Sequence, residues 1–235
     1  PFHFRLLATS GRAALLEQGG GFERWAVAES AGIPAGRNGA CVVDGNPFTL
    51  GHLYLVEQAS RRVDTLCLFI VRVDRSVFPY AVRRMLAERA TARLPNVAMR
   101  ETSRYTVSAG IFPSYLLKSL DAAALGQMRM DASLFGQRIA PAFHVHVRFV
   151  GHEPSDTTTA AYNRAMREAL PACRVELVEL ERTEGADGGD TFISATRVRA
   201  ALARGDVEAL GRWVPHLGLP ASAPVLARTS QSLLL

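Results

Sequence analysis

Asn46-Pro47-Phe48-Thr49-Leu50-Gly51-His52 follows a short apolar run, Ala40-Cys41-Val42-Val43, and precedes a helix-like segment, Leu53 to Ser60. A strand, a tight turn carrying Gly and Pro, and Thr-x-Gly-His opening a helix is the layout of a phosphate site. Gly51 has no side chain, so a ligand can come close to the backbone. A helix start offers unpaired N–H groups and a positive dipole end to an anion. His52 adds a donor that can carry charge near neutral pH. The stretch points to a bound nucleotide.

Outward from this turn the pattern alternates strand and helix. Strands are expected at Ala40–Asp44, Thr65–Val73, Asn96–Glu101, Val145–Gly151 and Arg174–Leu180. Helices are expected at Gly51–Arg61, Pro79–Ala92, Pro113–Leu125, Ala132–Pro141, Thr158–Ala169 and Thr196–Ala203, with a short one near Val207–Trp213. The strands are nearly continuous in apolar residues, as parallel strands buried on both faces are. The expected fold is therefore α/β, a Rossmann-like, doubly wound, five-stranded parallel sheet with right-handed crossovers. In such sheets ligands lie beyond the carboxyl ends of the strands. Four segments pass that test: 44–52, Arg72–Phe78, Gly151-His152-Glu153-Pro154 and Asp190–Arg199.

The last of these contains Ile193-Ser194-Ala195-Thr196-Arg197-Val198-Arg199. Ser194 or Thr196 is placed to cap a helix, and Arg199 falls in its first turn, where it can fold back toward an anion. Alone, plain capping with a solvated Arg explains the segment equally well. Paired with residues 46–52 in this order, it reads as a second phosphate grip.

Composition narrows the remaining classes. The chain has 235 residues, 48% of them hydrophobic, enough for a sizeable core. Its net charge of +5 is spread along the sequence, which disfavours a nucleic-acid partner. The basic residues are 26 Arg and one Lys, Lys118, and Arg forks grip phosphate bidentately. Cys41, Cys67 and Cys173 are too far apart for a zinc site or a disulfide framework, so a reducing cytoplasm is expected. No apolar run approaches the roughly 18 residues of a membrane span, and no secretory signal opens the chain.

Residues 1–38 read differently. Phe2–Ala8 is expected as a strand and Arg12–Gln18 as a short helix, with Gly19-Gly20-Gly21 and the Gly32–Gly39 stretch breaking the pattern. The piece reads as a linker or as the tail of a domain, and the start at Pro1 suggests a truncated front. Residues 221–235 read as a loose tail. His144 and His146 alternate along a strand without a third ligand nearby, so a structural role is expected and no metal site. His152 stays open between the two readings. Glu176, Glu179, Glu181, Asp187 and Asp190 read as a solvated edge and loop. Tyr105, Phe112 and Tyr115 read as core.

The segments 46–52 and 193–199 resemble the (His/Thr)-x-Gly-His and Ile-Ser-x-Thr-x-x-Arg motifs of the HIGH-type nucleotidyltransferase superfamily. A narrower resemblance, to the citrate lyase ligase family, rests on Asn46 to Ala59, on Leu68-Phe69 with Phe78-Pro79-Tyr80 and Arg83, and on Phe112-Pro113-x-Tyr115 with Lys118. It continues through Ala140-Pro141-Ala142, Arg148-Phe149-Val150-Gly151-x-Glu153-Pro154, Tyr162-Asn163 and Glu176 to Arg182. It covers roughly residues 40–215, so residues 39–220 are taken as the ligase domain. Residues 1–30 are similar to the end of an acetyltransferase-like domain that precedes it in full-length members. Many superfamily members have His where Thr49 stands, and Thr still donates a hydrogen bond. Many also place Lys after the second strand, where this chain has Arg72 and Arg75.

The resemblance implies an enzyme that uses ATP and acetate to acetylate the thiol of the phosphoribosyl-dephospho-CoA group on the citrate lyase acyl-carrier subunit. Acetyl-adenylate is the intermediate, AMP and pyrophosphate are released, and no enzyme nucleophile is needed. Thr49 and His52 are expected at the α-phosphate, and Ser194, Thr196 and Arg199 at the departing pyrophosphate, with Ile193 leading into that motif. Gly45, Asn46, Pro47, Phe48 and Gly51 would frame ribose and phosphate, and Gly151 with Glu153 the adenine. Arg72, Arg83 and Lys118 are candidates for phosphate or prosthetic-group contact. Mg2+ bridging the phosphates is expected, without a protein ligand cluster. The alternatives are a metabolic adenylyltransferase acting on phosphopantetheine or nicotinamide mononucleotide, and a non-catalytic nucleotide-binding module.

Overall fold

Leu66, Cys67, Leu68, Phe69 and Ile70 are all buried, and alternation along the strand divides them between two hydrophobic clusters. Cys67 and Phe69 face one layer, while Leu66, Leu68 and Ile70 face the other. Period-two alternation into two covered faces is what a doubly wound sheet requires of a central strand. Each Leu, Ile or Phe so buried stabilises the fold by roughly 1.5–3 kcal/mol.

The computed structural model describes residues 3–72, 76–108, 120–153, 156–181, 194–206 and 213–215. The main sheet comprises β3 (Asn38–Val43), β4 (Leu66–Ile70), β5 (Val97–Glu101), β6 (Val145–Gly151) and β7 (Glu176–Leu180). Their order is β5-β4-β3-β6-β7, and every pairing is parallel. Winding runs outward from β3 to β5, then resumes on the other side with β6 and β7. The reversal between β3 and β6 is the switch point where such sheets open a ligand crevice.

One face is covered by α2 (Leu50–Ser60) and α3 (Tyr80–Thr91), which bury Leu53, Val56 and Leu86 against the sheet. The other carries α1 (Gly21–Ser30), α4 (Ala122–Leu134) and α5 (Thr157–Ala169), burying Phe22, Met128 and Tyr162. Helix α4 runs on through a π-helical stretch, Phe135–Ile139, into a last turn at Ala140–Ala142. The expected helix at 113–125 and the one at 132–141 thus differ from what forms. Asp121 caps the helix by accepting from the Ala124 N–H (2.8 Å), and Gly126 is inside it rather than a break between two helices. Residues 113–119 lie outside the described residues. The expected helix near 207–213 lies outside them except for Trp213, and the 221–235 tail lies outside them entirely.

The expected helix at Arg12–Gln18 is a strand. β1 (Phe4–Ser10) and β2 (Ala13–Gln18) form an antiparallel hairpin, closing from Ser10↔Ala13 across Gly11-Arg12. Gly11 has φ +57°, the left-handed conformation a two-residue hairpin turn demands. Helix α1, which begins directly after the Gly19-Gly20 pair, was not expected either. This region joins the main core. Leu7, Ala8, Phe22, Ala26 and Ile33 belong to the same buried cluster as Phe69 and Phe143. Gln137 exchanges two hydrogen bonds with the backbone of Thr9, at 3.0 and 2.9 Å. Among the described residues no helix is long and apolar enough to cross a membrane.

Candidate active site

The cleft opens at the switch point, beyond the carboxyl ends of β3 and β6, with a volume of about 910 Å³. That lies within the range of about 300–1,000 Å³ for small-molecule sites. Three helix starts converge on its wall: α2, α5 and α6 (Ala195–Ala203).

At the first, Thr49 is the N-cap of α2 and His52 its N3 residue. The Thr49 hydroxyl accepts from the His52 N–H at 3.4 Å, and the Thr49 N–H donates to His52 Nδ1 at 3.0 Å. This is a capping box with imidazole in the place usually held by Glu or Gln. A backbone N–H can only donate, so Nδ1 presents its lone pair and the neutral ring carries its proton on Nε2. Phe48, fully buried, stacks on the imidazole with centroids 5.4 Å apart. The ring is thus held on its edge and its face, and both Thr49 and His52 line the cleft.

The loop before Thr49 is tied down from behind. Gly45 turns it with φ +61°. Asn46 Oδ1 accepts from the Phe78 N–H at 3.0 Å. Arg83, on α3, is 0% exposed. It donates to the carbonyls of Phe78 (2.9 Å), Asp44 (2.7 Å) and Val71 (2.8 Å), and to Asp44 Oδ1 at 3.1 Å. Arg83, expected as a phosphate or prosthetic-group contact, here has its guanidinium enclosed by the loops it holds in register.

The second motif meets the first. Ser194, not Thr196, caps α6, accepting from the Arg197 N–H at 3.3 Å. Arg199 donates through Nη1 to the Asn46 carbonyl at 2.6 Å and through Nη2 to Thr196 Oγ1 at 3.0 Å. Of the residues read from sequence, Thr49, Gly51, His52, Gly151, Glu153, Ser194 and Thr196 line the cleft. Gly45, Asn46, Pro47 and Phe48 are not among the lining residues. Arg199 bridges the two motifs, while Arg197 forms part of the wall and lies over Trp213. Arg72 is elsewhere, paired with Glu101 and over the Tyr80 ring. Ile193 and Lys118 lie outside the described residues.

Gly151 ends β6 at the cleft, and a Cβ there would meet nothing within 4 Å. Its carbonyl is fixed by Asn163 Nδ2 at 3.1 Å. The third helix start is one that sequence reasoning missed. Asp156 caps α5, accepting from the N–H groups of Thr158 (2.9 Å) and Thr159 (3.0 Å). Its own N–H donates to Glu153 Oε1 at 3.1 Å. Asp156-Thr157-Thr158-Thr159 after a strand carries a visible capping signal. Arg148 and Tyr162, also in the lining, gave no such sign. Among the described residues no group of three or more His, Cys, Asp or Glu side chains could hold a metal ion.

The sheet order, the switch-point cleft and the joined motifs define a Rossmann-like domain with the HIGH-type nucleotidyltransferase fold. Its fold is similar to that of a pantothenate synthetase from Thermus thermophilus (TM-score 0.50, 16% identity, covering 89% of this chain and 80% of that one). It is likewise similar to pantoate-beta-alanine ligase from Francisella tularensis, solved with beta-gamma ATP and beta-alanine (TM-score 0.51, 10% identity, covering 80% and 74%). Residues 38–220 match the family model of the citrate lyase ligase C-terminal domain. The chain is 39% identical over 191 residues to a citrate (pro-3S)-lyase ligase of Escherichia coli (strain K12), covering 79% of this chain and 53% of that protein. It is 35% identical over 192 residues to the Haemophilus influenzae protein of the same name, covering 80% and 56%. The chain belongs to the citrate lyase ligase family, and it spans about half the length of the curated relatives it matches.

Proposed function

We propose that this chain carries the adenylyl-transfer site of a citrate lyase ligase. A carboxylate oxygen of acetate attacks the α-phosphorus of ATP, the Pα–O–Pβ bond breaks and pyrophosphate leaves. The thiol of the acyl-carrier prosthetic group then attacks the acetyl carbon, loses its proton and displaces AMP, leaving an acetyl thioester and switching citrate lyase on. The first step needs in-line geometry and charge stabilisation more than a nucleophile from the protein. His52, with its proton on Nε2, and Thr49 serve the α-phosphate as charge develops there. Ser194, Thr196 and Arg199 hold the leaving pyrophosphate, and Gly151 with Glu153 receives the adenine.

The observation that carries this reading is the bond from Arg199 to the Asn46 carbonyl, 2.6 Å. It ties the α-phosphate and pyrophosphate motifs into one unit at the switch point, in a chain whose relatives bear the ligase name. Acetate-dependent exchange between ATP and labelled pyrophosphate tests it. His52→Ala should slow exchange by about two powers of ten, or about 3 kcal/mol, while ATP still binds. His52→Gln keeps an N3 residue that completes a capping box but removes the imidazole, and it should stay nearly as slow. Native turnover in His52→Gln would reduce the ring to a helix cap. Exchange that ignored acetate but answered to phosphopantetheine would make the chain a metabolic adenylyltransferase.

A further inference from the structure

Among the described residues two arginines are buried, Arg83 and Arg148, and they differ in what their donors reach. Arg83 spends its donors on three carbonyls and Asp44. Arg148, on β6, is 2% exposed, yet its Nε and Nη1 have no hydrogen-bond partner among the described residues. Its guanidinium lies over the Phe135 ring, 4.4 Å from the centroid. That stacking occupies a face of the planar group and leaves the in-plane donors of Nε and Nη1 unused. Phe135 opens the π-helical stretch Phe135–Ile139, an irregularity common at functional sites. Burial pulls the Arg148 guanidinium below its ordinary range, and Tyr162, Cys41 and Asp131 oppose that shift by favouring the charged form. The Asp131 oxygens, however, are already taken by the Val107 N–H (2.8 Å) and the hydroxyls of Thr106 and Tyr162. Buried polar groups are nearly always bonded, and buried charges are paired. A guanidinium that stays protonated with two of its nitrogens unpartnered is suited to an anion from outside.

The position says which anion. Arg148 stands three residues before Gly151 on β6, a strand flanking the switch point, and it lines the same cleft as His52. The cleft lining also includes the apolar side chains of Val42, Val71, Val107 and Met166, beside polar ones such as Tyr162 and Asn163. A buried guanidinium in a cleft that also presents apolar side chains suits a carboxylate on a short alkyl group. We propose that Arg148 binds the carboxylate of the acid substrate, a small monocarboxylate, at the floor of the cleft below the nucleotide. This rests on the adenylyl-transfer reading above.

Arg148→Met and Arg148→Lys in the full chain test it, with acetate as the probe. Arg148→Met should raise the KM for acetate in pyrophosphate exchange by about tenfold to a hundredfold, the loss of a charge-assisted bond. Its Kd for ATP should be unchanged, and Arg148→Lys should fall between. Sodium acetate should also raise the unfolding midpoint of the wild type above that in sodium chloride of equal ionic strength, and should not do so for Arg148→Met. An unchanged acetate KM, an equal loss of ATP affinity, or the failure of both variants to fold would each overturn the assignment. If the wild type shows no acetate-dependent exchange but is stabilised by acetate through Arg148, the ligase reading falls and the carboxylate site stands. If exchange needs acetate and Arg148→Met leaves it untouched, the site falls and the ligase reading stands.

Discussion

Thr49 and His52 constrain each other. The hydroxyl that caps α2 also lies 2.9 Å from the imidazole Nδ1, so the helix start and the ring orientation share one oxygen. Thr49→Val keeps the side chain's shape and deletes that oxygen. Losing the cap should cost about 1 kcal/mol, seen as a fall of about 2–4 °C in melting temperature for a chain of this size. Pyrophosphate exchange should fall more steeply than that stability loss accounts for, because the imidazole also loses the hydroxyl contact at Nδ1 and keeps only the backbone one. Thr49→Ser should recover both. A Val variant with native exchange would confine the hydroxyl to stability. This site was legible in the sequence because its partners are close in the chain: Thr49 caps the helix that His52 opens, and Ser194 does the same for α6. The link through Arg199 was legible only as a direction, since its acceptor, the Asn46 carbonyl, comes from the other motif.

At the scale of elements, α3 works through one side chain. Arg83 gathers the ends of three segments, at Asp44, Val71 and Phe78, into one buried set of hydrogen bonds. Arg83→Met fills the space but leaves these carbonyls without their donor. Unfolding in urea should then show a loss of about 3 kcal/mol, as for other broken buried charge networks. ATP affinity should fall as well, because the loop leading into Thr49 loses its support. A stable variant with weakened ATP binding would instead return Arg83 to the ligand. From sequence, Arg83 is a candidate ligand contact and Arg148 has no such role, because which loops reach a buried guanidinium is set by the fold and not by its neighbours in the chain. The strands were legible where they are buried on both faces, as at Val145–Gly151. β1 was legible as the strand expected at Phe2–Ala8, but β2 was not, because none of its residues is buried and Leu15-Leu16 suits a helix as well as a strand. Helix α1 was masked by the glycines before it.

Across the whole molecule, the sheet separates two layers, and each holds a cysteine on a neighbouring central strand. Cys41 of β3 belongs to the cluster under α2 and α3, and Cys67 of β4 to the cluster shared by α1, α4, α5 and the hairpin. Both are 0% exposed, and burial pushes each thiol up to about 12. A raised thiol pKa means that almost no thiolate exists at pH 8, and the thiolate is the reactive form. A thiol reagent at that pH should therefore modify half-buried Cys173 first and leave Cys41 and Cys67 untouched in the native protein. With rising urea the two should become reactive together. The aromatic chain from Phe22 through Trp25 to Phe143 and Phe69 packs the N-terminal residues into the sheet's own core, so one layer cannot open without exposing the other. Peptide mass spectrometry after brief labelling resolves the two sites. If Cys67 is labelled at lower urea than Cys41, the layer that includes residues 4–30 opens as a unit of its own, and the chain folds in two steps.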